Sequence, residues 1–220
     1  MTTAAKRKIL IVDDHPVFCL GMSELINKAA DLCVCGSEDT PAKALSAIQR
    51  LSPDLVIVDI SLKESSGIDL MGEINIRHPG LPMLVLSMYD ESLYAERALL
   101  AGARGYLMKQ EAIAVVVDAI HQVLQGKVYA SEAVKEKVFQ RLVSPHTAAD
   151  TSPLDGLTSR ELEVFRLIGQ GLSTREIAER MKLSIKTIGT YRERIKEKLN
   201  LKHYTELVKA AVHYLQLTEK

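Results

Sequence analysis

No stretch of this 220-residue chain approaches the ~18 consecutive apolar positions of a membrane span. The start lacks the longer apolar core and small-residue cleavage site of a secretory leader: Met1 to Lys8 leads into only a few apolar residues before Asp13-Asp14. Cysteine is scarce and odd in number. Cys19, Cys33 and Cys35 have no metal-ligand spacing and are read as small buried hydrophobes in a reducing compartment, which makes the cytoplasm the expected location. Net charge is absent too, with 28 Lys and Arg against 28 Asp and Glu. That neutrality hides a division. Residues 1–143 hold 15 basic against 18 acidic side chains, whereas residues 144–220 hold 13 against 10. An acidic half joined to a basic half permits a nucleic-acid contact through the second, although an excess of three charges is too small to establish one.

From Lys8 to Gly126, short apolar runs alternate with amphipathic stretches. The runs are Ile9-Leu10-Ile11-Val12, Leu32-Cys33-Val34-Cys35, Leu55-Val56-Ile57-Val58, Met83-Leu84-Val85-Leu86 and Gly105-Tyr106-Leu107-Met108. Each is too short for a stable helix and apolar without strict alternation, as strands covered on both faces require. Helical segments are expected near 16–28, 41–50, 67–77, 92–101 and 112–124. Strand-then-helix units in series predict an α/β doubly wound, five-stranded parallel sheet with functional groups at the carboxyl ends of its strands. After Gly126 the strand signal stops. A helix is expected over 131–142 with Ser131 as its N-cap, and 144–156, with Pro145 and Pro153, has a linker composition. Helices over 159–169, 174–181, 185–198 and 204–216 then make a small all-α domain, opened by a capping-box pattern at Thr158 and Glu161. The division is 7–126, a connecting helix and linker over 127–156, and 157–217.

Three carboxylates fall at strand ends: Asp13 and Asp14 after the first, Asp59 after the third. The fourth strand ends in Ser87 and the fifth is followed by Lys109. A single strand-terminal Asp would be an ordinary turn residue. Several brought together repel and need a cation, and hard oxygen ligands suit Mg²⁺. Such an ion would neutralise a phosphoryl group and align a carboxylate for in-line attack, with Lys109 and Ser87 contacting the phosphoryl oxygens. His15 has no second histidine nearby and is read as part of the turn into the helix.

Asp13-Asp14, Asp59, Ser87 and Lys109, each at its own strand end, resemble the signature of response-regulator receiver domains over residues 7–126. The resemblance implies a flavodoxin-like fold with Asp59 as phosphoacceptor. It implies Mg²⁺ held by Asp14, Asp59 and the backbone carbonyl of Ser61, with Asp13 acting through water. Ser87 and Lys109 would read the phosphate, and Tyr106 matches the aromatic switch position, although a half-buried strand tyrosine fits the pattern equally. Met88 is bulkier than the residue many receivers carry there, and with Tyr89 it is expected to narrow access to the phosphoryl group.

In the second half, Ser173 and Ser184 cap two helices joined by the turn Met181-Lys182-Leu183-Ser184, with the small Ala178 allowing close packing: a helix-turn-helix. The second helix has Ile185, Ile188, Ile195 and Leu199 on one side. Lys186, Thr187, Gly189, Thr190, Arg192, Glu193, Arg194 and Lys196 are its candidates for DNA contact. Among them Gly189 is expected to permit close approach to the DNA backbone, Thr190 and Glu193 to meet base edges, and Lys186, Arg192 and Arg194 to hold phosphates. The run from Leu157-Thr158 through Lys186-Thr187-Ile188 to Glu206-Leu207-Val208 resembles the LuxR-type helix-turn-helix. With the receiver-like half, the whole chain resembles NarL/FixJ-type two-component response regulators. This implies a transcriptional regulator rather than an enzyme. Its implied partners are a sensor histidine kinase or small phosphodonor, double-stranded DNA, and a second copy on DNA; no membrane is implied. Two readings stay open here: a phosphoryl-handling enzyme of the haloacid-dehalogenase kind, whose paired acids are usually two residues apart rather than adjacent, and a regulator working without phosphate.

Overall fold

A computed structural model describes residues 5–62, 66–89, 91–143 and 153–218. The linker expected over 144–156 thus lies mostly outside the described residues. The chain divides into two compact units, Met1–Ser144 and Pro145–Lys220.

In the first unit, strands β1 (Arg7–Val12), β2 (Leu32–Glu38), β3 (Leu55–Asp59), β4 (Met83–Ser87) and β5 (Gly105–Met108) alternate with helices. These helices are α1 (Pro16–Asn27), α2 (Pro41–Leu51), α3 (Gly67–Arg77), α4 (Glu91–Leu100) and α5 (Lys109–Leu124). The strands form one parallel sheet in the order β2-β1-β3-β4-β5. Every residue of β3 and β4 is buried, which explains why their sequences carry no polar alternation. Because side chains alternate across a strand, Ile9, Ile11, Leu55, Ile57, Leu84 and Leu86 share one face and pack with α1 and α5 through Cys19, Met22, Ile26, Val116 and Ile120. Leu10, Val12, Val56, Val58 and Val85 are buried on the other face, where α2, α3 and α4 lie side by side.

Two departures from expectation lie at the sheet edges. The edge strand β2 runs on to Glu38, and its pairing with β1 jumps from Val34 to Gly36, so that Cys35 is the extra residue of a bulge. Cys33 and Cys35 are only half-buried, because an edge strand is covered less fully than a central one. At the other edge, Tyr129 pairs through its backbone with Arg104 and Tyr106. The chain then enters α6 (Glu132–Val143), whose N-terminus is capped by Ser131. Expected as a connecting helix, α6 packs instead against α4, buries Val134 and pairs Lys137 with Glu96 at 2.9 Å. Helix α5 begins three residues earlier than its amphipathic pattern indicated, directly at Lys109.

The second unit holds α7 (Ser159–Gly169), α8 (Thr174–Met181), α9 (Ile185–Lys198) and α10 (Tyr204–Thr218), preceded by a short 3₁₀ turn at Pro153–Gly156. Capping boxes open α7 through Thr158 and Glu161, and α8 through Ser173 and Glu176; the Ser184 hydroxyl accepts the Thr187 N–H at α9. Helix α7 crosses α10 at Gly169, where a Cβ would lie 2.6 Å from the Ala211 carbonyl oxygen. Phe165, Ile177, Ile188, Ile195, Leu207 and Ala211 form its buried centre. No helix among the described residues is long and apolar enough to cross a membrane.

Glu161 is a buried carboxylate that joins two of these helices: it accepts from the Thr158 N–H at 2.7 Å and pairs with Lys198 Nζ at 2.6 Å. Burial pushes its pKa up, but Lys198 and Thr158 outweigh this and hold it below the usual range. A depressed carboxylate pKa contributes stability that is complete above the ordinary value and lost as pH falls through the lowered one. Glu161→Ala should therefore cost about 1–2 kcal/mol near neutral pH, and Glu161→Gln, which can still cap, should cost less. Amide hydrogen exchange over α7–α10 in the full chain should show the Ala deficit shrinking as pH drops below about 4.3.

Candidate acidic site and nucleic-acid interface

The sheet order places β1 beside β3, and helices leave these two strands in opposite lateral directions. Side chains at the two strand ends therefore face the same crevice. Asp13 and Asp14 follow β1, and Asp59 is the last residue of β3; all three are buried. The Asp13 N–H donates to the Glu38 carbonyl at 3.0 Å, which fixes the turn leaving β1. Lys109, the first residue of α5, reaches across from β5. Its Nζ lies 2.5 Å from Asp13 Oδ2, 2.7 Å from Asp59 Oδ2 and 4.4 Å from the centre of the Phe18 ring. Burial alone would lower the lysine pKa, but Asp59 and Asp13 reverse that and hold it above its ordinary value. The Asp59 pKa is raised chiefly by burial, against the opposing pull of Lys109.

The Ser61 N–H donates to Asp59 Oδ1 at 3.3 Å, so that residue is adjacent to the carboxylate. Gly67 was not singled out from the sequence, yet a Cβ there would lie only 2.0 Å from the Asp59 carbonyl oxygen. The loop after β3 closes this tightly only with glycine, whose signal is its position at the first residue of α3.

Three buried carboxylates face one ammonium group, which leaves an excess of negative charge that a divalent cation would balance. Asp13 Oδ2 meets Lys109 Nζ and Asp14 Oδ1 meets the His15 ring, with no further hydrogen-bond partner for either oxygen among the described residues. Hard oxygen donors in this number fit Mg²⁺. His15, read from the sequence as a turn residue, belongs to the cluster: its Nδ1 lies 3.0 Å from Asp13 Oδ1 and 3.1 Å from Asp14 Oδ1. The sequence signal was its adjacency to the acidic pair. Its neighbours in the cluster are carboxylates, with Asp59 brought in across the sheet, not a second histidine along the chain.

Ser87 is fully buried at the end of β4, and its Oγ accepts the Tyr89 N–H at 3.1 Å. Tyr106, 2% exposed rather than half-buried, donates its hydroxyl to the Tyr89 carbonyl at 2.9 Å. Ser87 and Tyr106 thus hold the two sides of one residue's backbone. The Tyr89 ring stacks on Tyr94 at 4.8 Å, and Met88 is 64% exposed. The Tyr89 ring is thus packed against α4.

On α9, Lys186, Thr190, Glu193 and Arg194 are exposed; Thr187, Gly189, Arg192 and Lys196 are half-buried. Ile188 and Ile195 enter the core, whereas Ile185, expected on the same side, is 57% exposed because it begins the helix ahead of that packing. The Thr187 hydroxyl is 2.7 Å from Ser184 Oγ, within the cap, and Lys196 pairs with Glu193 at 2.8 Å. A Cβ on Gly189 would meet no protein atom within 4 Å, so internal packing does not demand glycine there. Arg192, expected to hold phosphates, also makes contacts inside its own unit. It donates to Thr174 Oγ1 at 2.7 Å and its guanidinium lies 3.7 Å from the centre of the Tyr204 ring, tying α9 to α8 and α10. Arg192→Ala should destabilise the second unit by about 1–3 kcal/mol, while Arg194→Ala should stay within about 0.5 kcal/mol. Amide exchange over α8–α10 measures both.

Residues 9–121 match the response regulator receiver domain model, and residues 155–211 match the model of bacterial regulatory proteins of the LuxR family. The transcriptional activator protein ExaE of Pseudomonas putida is 34% identical over 93% of this chain and 95% of its own length. The oxygen regulatory protein NreC of Staphylococcus carnosus is 32% identical over 93% of this chain and 96% of its own. RcsB from Salmonella enterica serovar Typhimurium, solved bound to a promoter in the presence of the phosphomimetic BeF3−, aligns with a TM-score of 0.56. It is 25% identical and covers 93% of this chain and 97% of that one. A LuxR-family two-component response regulator from Aurantimonas sp. aligns with a TM-score of 0.57 at 27% identity, over 64% of this chain and 100% of its own. The chain belongs to the NarL/FixJ-type response regulators, which join a receiver domain to a LuxR-type DNA-binding domain.

Proposed function

We propose that this regulator is switched by phosphorylation of Asp59 and acts on promoter DNA through α9. The observation that carries this reading is the buried contact of Lys109 Nζ with Asp59 Oδ2 at 2.7 Å, in a crevice shared with Asp13 and Asp14. A carboxylate oxygen of Asp59 attacks phosphorus in line, the bond from phosphorus to the donor (a histidine nitrogen of a sensor kinase, or the acyl oxygen of a small phosphodonor) breaks, and an acyl phosphate forms. Lys109, already charged and dehydrated, then exchanges its contact with the free Asp59 carboxylate for the added phosphoryl oxygens. Asp14, Asp59 and the Ser61 carbonyl are the residues that would hold Mg²⁺, with Asp13 acting through water. When bound, the ion supplies neutralising charge to the carboxylates and phosphoryl oxygens.

Ser87 is the hydroxyl that can turn toward the new phosphoryl group. Doing so gives up its bond from the Tyr89 N–H, and Tyr89 is the residue whose carbonyl holds the Tyr106 hydroxyl. A charge event at Asp59 therefore has a route through Ser87 and Tyr89 to β5 and α4, a two-state shift of packing. In the second unit, exposed Lys186 and Arg194 face phosphates, Thr190 and Glu193 face base edges, and Gly189 permits close approach. Two copies on adjacent half-sites, joined in part through α10, match a roughly palindromic operator. The cytoplasm is the compartment in which both kinase output and DNA are accessible.

Acetyl phosphate should label the chain once, in a Mg²⁺-dependent manner, and Asp59→Asn should abolish the label by mass spectrometry of the intact protein. Rapid multiple turnover would instead indicate a phosphatase-like enzyme. Arg194→Ala should weaken binding to all DNA sequences alike and reduce the log–log salt slope by about 1. A loss confined to one sequence in gel-shift titrations would assign Arg194 to base reading.

A further inference from the structure

His15 occupies the N-cap position of α1, but its side chain makes no capping hydrogen bond. Pro16 at the first helical position confines His15 to extended backbone, φ −104° and ψ 97°, and the imidazole turns back over the carboxyl edge of the sheet. There Nδ1 lies 3.0 Å from Asp13 Oδ1, 3.1 Å from Asp14 Oδ1 and 3.9 Å from Asp59 Oδ2. One donor atom from each of Asp13, Asp14, His15 and Asp59 falls within 4.8 Å of all the others. Ligands about 2.1 Å from one ion stand at most about 4.2 Å apart, so a closure of roughly half an ångström brings Asp14, His15 and Asp59 into one shell, with Asp13 beside it. A second observation points the same way. The Asp14 side chain is only 4% exposed, its Oδ1 has no satisfied hydrogen bond among the described residues, and the side chain nearest to that oxygen is this imidazole. The ring's hydrogen-bonded contact is with Asp13 Oδ1, inside the acidic cluster, and not with the backbone of the helix it precedes.

We propose that His15 Nδ1 is a nitrogen donor to the cation of the acidic pocket. The pocket then takes first-row divalent ions such as Mn²⁺ through a mixed imidazole and carboxylate set, and discriminates less in favour of Mg²⁺ than an all-oxygen site. Imidazole suits transition ions, whereas Mg²⁺ prefers carboxylate, carbonyl and water. The donor is the neutral ring with its proton on Nε2 and its lone pair on Nδ1. This inference rests on the reading of the pocket as a cation site, and the test separates the two.

The experiment loads the full chain with one equivalent of Mn²⁺ and records pulsed electron paramagnetic resonance, alongside calorimetric titrations with Mn²⁺ and with Mg²⁺. The wild type should show ¹⁴N modulation from a coordinated imidazole, and Asp59→Ala should lose it, which removes the other histidines as its source. His15→Ala should abolish the modulation and weaken Mn²⁺ about ten-fold, while Mg²⁺ changes by less than about two-fold. Circular dichroism should show that variant folded, since the side chain it removes is 51% exposed and caps nothing. Mn²⁺ that binds without ¹⁴N modulation, or with modulation that survives His15→Ala, overturns the role of His15 and leaves the cation pocket standing. Failure of Mn²⁺ and Mg²⁺ alike to bind in a manner sensitive to Asp59→Ala overturns the pocket itself.

Discussion

The ammonium of Lys109 lodged between Asp13 and Asp59 is the contact on which the first unit's chemistry depends. It joins the ends of β1 and β3 to the start of α5, three places far apart in the chain. One cation cannot balance three buried carboxylates, and the imbalance is maintained by the fold rather than relieved by it: the ends of the strands that carry these acids are buried. Burial raises the Asp59 pKa, while the same burial makes any added cation or phosphoryl group interact strongly with its neighbours. A site assembled this way is sensitive to the arrival of charge because so little solvent is present to screen it.

The consequence of that arrival has a defined path through covalent and hydrogen-bonded atoms. Ser87 and Tyr106 do not touch one another; they share Tyr89, one through its N–H and the other through its carbonyl. The ring of Tyr89 is meanwhile stacked against the buried Tyr94 of α4, so movement of this one residue disturbs β5 and α4 together. Helix α6 adds a further layer to that region, with Glu91 accepting the Ser131 N–H at 2.8 Å and Lys137 paired with Glu96. The segment leading to the second unit therefore begins on the surface that a change at Asp59 would repack.

The second unit is built by local rules more than the first. Its helices start at Thr158, Ser173 and Ser184, each with a side-chain oxygen accepting a backbone N–H two or three residues into the helix, and the short turns between them leave few alternatives for packing. A long-range ion pair, Glu161 with Lys198, ties the first helix to the end of the third. Arg192 shows how such a domain divides the labour of its cations. The Arg192 guanidinium lies over the ring of Tyr204, whereas Lys186 and Arg194 on the same helix are exposed.

By itself the sequence determined the strands and helices, the caps, the division into an α/β and an all-α unit, and the strand ends that carry Asp13, Asp14, Asp59, Ser87 and Lys109. These are legible because burial imposes a period on each element and capping requires particular side chains at particular positions, both within a few residues of one another. Only the tertiary structure decided that His15 joins the carboxylates, that the backbone at Gly67 comes against Asp59, that Arg192 lies over Tyr204, that Ile185 stays outside the core, and that α6 belongs to the first unit. Each of those outcomes depends on which distant segment lies opposite, and no local periodicity records the identity of a neighbour brought in across the sheet.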